Sequence, residues 1–160
     1  MIYHMDAIDR QILSVMQADA RLTVTALADH VQVSVSAAHR RLKELERSGV
    51  VLGYRAKLQP SAIGLGFQAL VFVTMRDGAA LALSDFERAL RDVPEVIDAQ
   101  RLFGDPDYLV RIATHDLEAF QRIYDATLAA LPGVLRLTTT LIMKEVVSDR
   151  PLPVAATTVR

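Results

Sequence analysis

At 160 residues, the chain has room for one ordinary domain or two small ones, and 51% hydrophobic with 23% charged residues excludes a disordered chain. The lack of cysteine excludes disulfides, thiolate catalysis and cysteine-based zinc sites, and fits a reducing cytoplasm. The net charge of −1 hides an uneven distribution: between His39 and Lys57, six bases (Arg40, Arg41, Lys43, Arg47, Arg55, Lys57) face two acids (Glu44, Glu46). A polyanion responds to that local potential and not to the total. The first ten residues carry acids where a secretory signal needs an apolar stretch. No window approaches the roughly 18 apolar residues of a spanning helix. The expectation is therefore a soluble, cytoplasmic chain with no membrane partner.

The first segment reads as three helices. From an N-cap at Asp6, apolar residues at Ile8, Ile12, Val15 and Met16 fall on a helical stripe. Thr23 caps a short second helix carrying Leu27, Ala28 and Val31. After a tight connection at Gln32-Val33, Ser34 caps a third helix that runs to about Ser48, with Gly49 in the left-handed position that ends it. Two β-prone runs, residues 50–52 and 54–58, flank Gly53 and predict a small ribbon. Pro60, Gly64 and Gly66 mark residues 60–66 as a linker.

The second half contains a weak internal repeat. A shift of 38 positions places Leu90 on Leu128, Val93 on Leu131, Pro94 on Pro132 and Val96 on Val134. Each copy reads as strand, amphipathic helix, Pro-bearing turn and strand. Strands are expected at 67–75, 96–103, 108–114 and 134–143, with helices at 80–92 and 116–131. Two such units in tandem make a ferredoxin-like βαββαβ domain with both helices on one face of an antiparallel sheet. The other face then needs a cover, most simply a second copy of the chain.

With Ala38 at the centre of its buried face, the third helix also buries Leu42 and Leu45, at 100° per residue. Ser36, Arg40, Lys43 and Arg47 fall on the opposite face and His39 flanks them. A helix with small and basic residues along its outer stripe suits the DNA major groove, where arginine forks onto guanine. Ser34 and Ser36, at the helix start, suit a phosphate. Arg55 and Lys57 on the ribbon would add phosphate contacts. The alternative is a plain three-helix unit with a solvated face.

Phe103-Gly104-Asp105-Pro106-Asp107-Tyr108 joins the middle strands and suits a tight hairpin. The same loop offers two carboxylates for the ammonium of an amino acid, with Arg101 or backbone N–H groups for its carboxylate. Asp105 and Asp107 have no further acid or histidine at a metal-ligand spacing. His4, His30, His39 and His115 are equally scattered, and no catalytic set or phosphate-binding glycine loop is present. No metal or cofactor is expected.

Taken in order and spacing, several stretches resemble the Lrp/AsnC (feast/famine) regulators, up to about residue 150. They are Asp6-Ala7-Ile8-Asp9-Arg10-Gln11-Ile12-Leu13, the Ser34–Gly49 helix ending Leu45-Glu46-Arg47-Ser48-Gly49-Val50-Val51, Gly53-Tyr54, Gly64-Leu65-Gly66-Phe67, Pro94-Glu95-Val96, Gly104-Asp105-Pro106-Asp107-Tyr108 and Leu131-Pro132-Gly133-Val134. The resemblance implies an α+β protein. An N-terminal winged helix-turn-helix would occupy residues 1–59 and the linker 60–66. A C-terminal ferredoxin-like effector-binding and oligomerisation domain would occupy 67–150, followed by a tail at 151–160. It implies dimers, often assembled into octamers, with an effector, typically an amino acid, between neighbouring dimers. Carried over residue by residue, the effector set is Leu102, Gly104, Asp105, Asp107, Thr138, Thr139, Thr140, Leu141 and Ile142. The DNA set is Ser34, Ser36, His39, Arg40, Arg41 and Lys43, with Arg41 towards the flank of the helix.

Some positions depart from the family pattern. Gln32 replaces the glycine usual between the second and third helices, which predicts a less sharp turn. Ala38 is smaller than the usual β-branched core residue, and Glu44 stands where a base is common. Thr140 occupies a position that is often larger or aromatic, which leaves the size of the effector open.

The leading expectation is thus a ligand-responsive transcription regulator and not an enzyme. One alternative is a haem-pathway decarboxylase sharing this two-domain plan, although only Arg101, Arg111 and His115 are obvious partners for a tetrapyrrole acid. Another is an architectural protein that wraps DNA without a ligand.

Overall fold

The computed structural model describes residues 4–154. They fall into two units, residues 4–56 with 147–154 and residues 57–146. Of the tail expected at 151–160, residues 155–160 lie outside the described residues.

The N-terminal unit contains α1 (Ala7–Ala18), α2 (Val24–Val31) and α3 (Val35–Arg47). Each begins at a side-chain cap, where an oxygen of Asp6, Thr23 or Ser34 accepts the N–H of the third helical residue. At α1 the cap is reciprocal, because Asp9 accepts the Asp6 N–H in return. Ile12, Leu27, Val31, Leu42 and Leu45 form the core.

The turn between α2 and α3 is sharper than its glutamine predicts. Gln32 adopts the left-handed conformation (φ 53, ψ 49), and the N–H groups of Gln32 and Val33 both reach Ala28 O. The helix-turn-helix needs that geometry, and a non-glycine residue bears the strain. The two-stranded ribbon expected at 50–58 is absent: no strand is formed there. Gly53 alone is too short to close a hairpin, and an isolated pair of such short strands is marginal. Instead Val50 and Val51 fold back, their N–H groups donating to Leu45 O, and the Tyr54 hydroxyl donates to Glu46.

In the second unit, Pro60–Ile63 forms a 3-10 turn, tied at Gly64 O to the His115 ring. Then follow β1 (Phe67–Met75), α4 (Ala80–Arg91), β2 (Val96–Arg101), β3 (Tyr108–Thr114), α5 (Leu117–Ala126) and β4 (Val134–Leu141). The sheet order β2-β3-β1-β4 is antiparallel throughout, the ferredoxin-like arrangement. Ala69, Val71, Val73 and Met75 of β1 alternate into a core with Phe86, Leu90, Tyr108, Ile112, Phe120 and Leu128.

The repeat survives at the level of single bonds. Val93 N donates to Leu90 O as Leu131 N does to Leu128 O, and Val96 N reaches Val93 O as Val134 N reaches Leu131 O. Three elements end two or more residues earlier than expected. The second repeat helix leaves α-geometry at Thr127 (φ −119) and tightens into a 3-10 turn at Leu128–Ala130, which keeps Leu128 buried. β2 stops at Arg101 because Leu102 N closes the hairpin onto Asp107 O. β4 stops at Leu141, although Ile142 N still donates to Gln68 O just beyond it.

Candidate DNA-binding and effector sites

The face assignment for α3 holds. Ala38, Leu42 and Leu45 are buried, while Ser36, His39, Arg40, Lys43 and Arg47 are exposed along the opposite stripe. Their states differ. Lys43 Nζ lies 2.9 Å from Glu46 and Arg47 Nη2 lies 2.6 Å from Glu44, both pairs one turn apart and largely solvated. Hydrogen bonding from Lys43 holds Glu46 below the usual carboxylate range, and Arg47 does the same to Glu44. Such exposed pairs are worth little and yield readily to a phosphate. No ion pair engages Arg40 among the described residues. Ser34 Oγ caps α3 through Ala37 N at 3.2 Å and meets Ser36 Oγ at 3.2 Å, so both hydroxyls sit at the helix start.

Arg41 stands apart from this stripe. Its Nη1 donates to Asp6 Oδ2 at 2.7 Å and to Asp9 Oδ1 at 2.8 Å, at the start of α1. The backbone N–H of Asp9 and the guanidinium together hold the Asp6 carboxyl below its usual range.

In the second unit, the hairpin between β2 and β3 positions the candidate loop. Asp107 Oδ2 accepts the Met75 N–H at 2.7 Å, where β1 shifts register against β4. This carboxylate therefore satisfies a strand amide that the ladder leaves over. Asp105 is exposed, and its Oδ1 accepts from Thr74 Oγ1 at 3.2 Å and lies 3.8 Å from Arg136 Nη2. Arg136 also donates to Thr74 Oγ1 at 3.4 Å. Leu102 and Gly104 lie exposed on the same hairpin, and Gly104 has φ 139.

Thr74 and Arg136 had no place in the sequence reading. The available signal was that Arg136 shares a strand face with Thr138, two residues on. Arg101, considered for a ligand carboxylate, pairs in register with the core residue Tyr108 and reaches Glu87 at 3.9 Å. It belongs to the helix-bearing side of the sheet. On that side the Tyr108 hydroxyl donates to Glu87 at 2.9 Å, and burial followed by this bond pushes its pKa up to about 12.

The strand residues divide between the two faces. Thr138 and Thr140 pair with Phe72 and Leu70 on the open face, while Thr139 and Leu141 pair with Val71 and Ala69 on the helix face. Thr139 borders an open cleft of about 420 Å³ with Leu117, Phe120, Gln121, Tyr124 and Asp125. Among the described residues its hydroxyl is buried there without a hydrogen-bond partner. On the open face, Leu70, Phe72, Leu109 and Arg111 are half-buried, with Arg111 held by Glu145 at 2.7 Å. Among the described residues no group of acids and histidines could hold a metal ion, and no helix is long and apolar enough to cross a membrane.

A three-helix unit with an exposed basic third helix, carried on the same chain as a ferredoxin-like domain, defines a DNA-binding protein with a ligand-sensing module. Comparison with known proteins agrees in both parts. Residues 5–51 match a winged helix-turn-helix DNA-binding family, and residues 68–152 match the Lrp/AsnC ligand binding domain. The chain is 36% identical to a proline dehydrogenase transcriptional activator of Rhodobacter capsulatus, covering 90% of this chain and 94% of the relative. It is 32% identical to the leucine-responsive regulatory protein of Escherichia coli, covering 89% and 87%. Among solved structures, a transcriptional regulator from Neisseria meningitidis in complex with L-Met superposes with a TM-score of 0.87 at 37% identity, covering 94% of this chain and 97% of that one. The chain belongs to the Lrp/AsnC family of transcriptional regulators.

Proposed function

We propose that this regulator works in the cytoplasm as a homo-oligomer, without a catalytic role, and that its effector is a free amino acid. The observation that carries this reading is the trio of exposed Asp105, exposed Arg136 and half-buried Thr74. A carboxylate and a guanidinium 3.8 Å apart, bridged by a hydroxyl, complement a zwitterion: Asp105 takes the ammonium and Arg136 takes the carboxylate. The relative bound to L-Met supports the same class of ligand. Asp107 shapes the loop from behind and does not bind through the oxygen that holds Met75 N.

A neighbouring copy completes the site. At about 3.3 Å per residue, Ile142 lies roughly 20 Å along the strand from Arg136, farther than one amino acid spans. Contacts from the hairpin and from the far end of β4 therefore reach one ligand only if different chains supply them. The half-apolar open face of the sheet, with Leu70, Phe72 and Leu109, is the surface we assign to a dimer partner. Effector bound between dimers would favour one assembly over another and so change which half-sites are engaged together.

On the DNA side, Arg40 is the proposed base-reading residue. Lys43, His39, Ser34 and Ser36 fix register on bases and phosphates. We assign residues 1–59 to the DNA-binding domain, 60–66 to the connection and 67–150 to the effector domain.

The deciding experiment is a gel shift on the upstream DNA of its own gene at fixed salt, with each of the twenty amino acids in turn. One or a few amino acids should alter the shift, and Arg136→Ala should abolish that response while leaving the ligand-free shift intact. A specific shift indifferent to every amino acid would overturn the effector assignment.

A further inference from the structure

We infer that Arg41 is a positioning residue for DNA recognition, an anchor that sets the recognition helix against α1, and not itself a contact to DNA. The inference rests on α3 being the recognition helix. Arg41 lies between the two faces of α3 and turns inward. One nitrogen, Nη1, bridges Asp6 and Asp9, and the Asp9 side chain is only 3% exposed. Each carboxylate is used twice, one oxygen on the guanidinium and the other on the backbone N–H of its partner in the reciprocal cap. The link therefore runs from the middle of the recognition helix to the first turn of α1 through four hydrogen bonds.

The geometry also says why this arginine is unavailable to a phosphate. Swinging it outward would break its bonds to both carboxylates, one of them on the buried Asp9 side chain, and taking a guanidinium away from a buried carboxylate is costly. Arg40 has no such partner among the described residues, and the partners of Lys43 and Arg47 are 26% and 37% exposed, against 3% for Asp9. The bases of α3 thus divide into an outer group that can meet DNA and one inner residue that aims it. Three atoms joined at 2.7 and 2.8 Å fix the axial position and rotation of α3. A base-edge contact is sensitive to both, because it fails when the fork is displaced by a fraction of its length.

The test uses the full-length protein, a duplex selected from a random pool by the wild type, and a shuffled duplex of equal length, over a salt series. Arg41→Ala should weaken binding to the selected duplex by about 10- to 100-fold, the size of one lost base contact. Affinity for the shuffled duplex and the slope of log K against log salt should stay at wild-type values, and Arg41→Lys should recover part of the loss. Equal weakening on both duplexes, with a slope reduced by about one, would make Arg41 a phosphate contact and overturn the inference.

Asp6→Asn guards against misfolding, since the Asp6 side chain is 47% exposed. It adds one net positive charge, yet positioning predicts that it too lowers the ratio of specific to non-specific binding. If Asp6→Asn instead tightens binding to both duplexes, the freed arginine reaches DNA and the anchor reading fails. Arg40→Ala in the same series separates the two hypotheses: if it changes nothing, the recognition helix itself has been misassigned, whatever Arg41 does.

Discussion

In the N-terminal unit the groups we propose to meet DNA lie along one helix within ten residues of sequence, Ser34 to Lys43. In the sheet unit, Thr74, Asp105 and Arg136 come from a strand end, a hairpin and a second strand, separated by 31 and 62 positions. The difference extends to what holds each site. The helix displays its bases by periodicity alone, and only Arg41 is tied inward. In the hairpin, one of the two carboxylates is already consumed by the strand amide of Met75. A surface read by shape and charge along a rod needs little tertiary support, whereas a small ligand needs groups converging from distant chain segments.

The largest expected effect concerns whether the two units stand alone energetically. Phe86 is fully buried at the centre of the sheet core, so Phe86→Ala should cost about 3–5 kcal/mol there. Hydrogen exchange should show lost protection in residues 67–141 and unchanged protection in α1 to α3. Equal loss in both would mean that the units unfold together. Arg40→Ala should weaken operator binding by about 1–3 kcal/mol without altering the oligomeric state measured by light scattering. Unchanged affinity at fixed salt would remove Arg40 from the interface.

In the sheet unit, Asp107→Ala should lower stability by about 1–3 kcal/mol in chemical denaturation, because the Met75 amide loses its acceptor. Exposed Asp105→Ala should abolish the ligand response at a stability cost below about 0.5 kcal/mol. Should both variants lose stability alike, the division of labour between the two carboxylates would be wrong. In the helical unit, Gln32→Gly should raise the unfolding midpoint, gaining about 1 kcal/mol by relieving a left-handed non-glycine residue.

The dependence on pH has opposite sign in the two units. Asp6 has a depressed folded pKa, so its contribution is present above the ordinary value of 3.8 and is lost as pH falls through the folded value. Tyr108 is raised from 10.0 to about 12, so its contribution is complete below pH 10 and lost as pH rises towards 12. Amide spectra followed across pH should show α1 loosening first in acid and the β3 region first in alkali. Tyr108→Phe should remove the alkaline limb.

Much of this was legible beforehand, and the errors have specific causes. The caps at Asp6, Thr23 and Ser34, the exit at Gly49 (φ 75) and all four strands follow from local chemistry and periodicity. The 38-residue repeat carried the sheet topology because both copies close their turns with the same hydrogen bonds. The ribbon after α3 failed because β-propensity without a closing turn forms no ladder. Gln32 was misjudged because cooperative packing of α2 and α3 outweighs the modest strain at one residue. Within the expected effector set, adjacent residues of a strand point to opposite faces, so Thr138 to Ile142 cannot all line one surface.

The sequence by itself determined the five α-helices, the four strands, their order, the buried and exposed faces of α3 and the family, because these depend on spacing along one chain. The tertiary structure decided which charges are free and which are spent. It turned Arg41 onto Asp6 and Asp9, committed Asp107 to a backbone amide, and brought Arg136 and Thr74 to Asp105. The physical reason is that a charged group takes its state from whatever lies within a few ångströms. In a folded chain those neighbours are set by strand register and helix packing rather than by sequence distance.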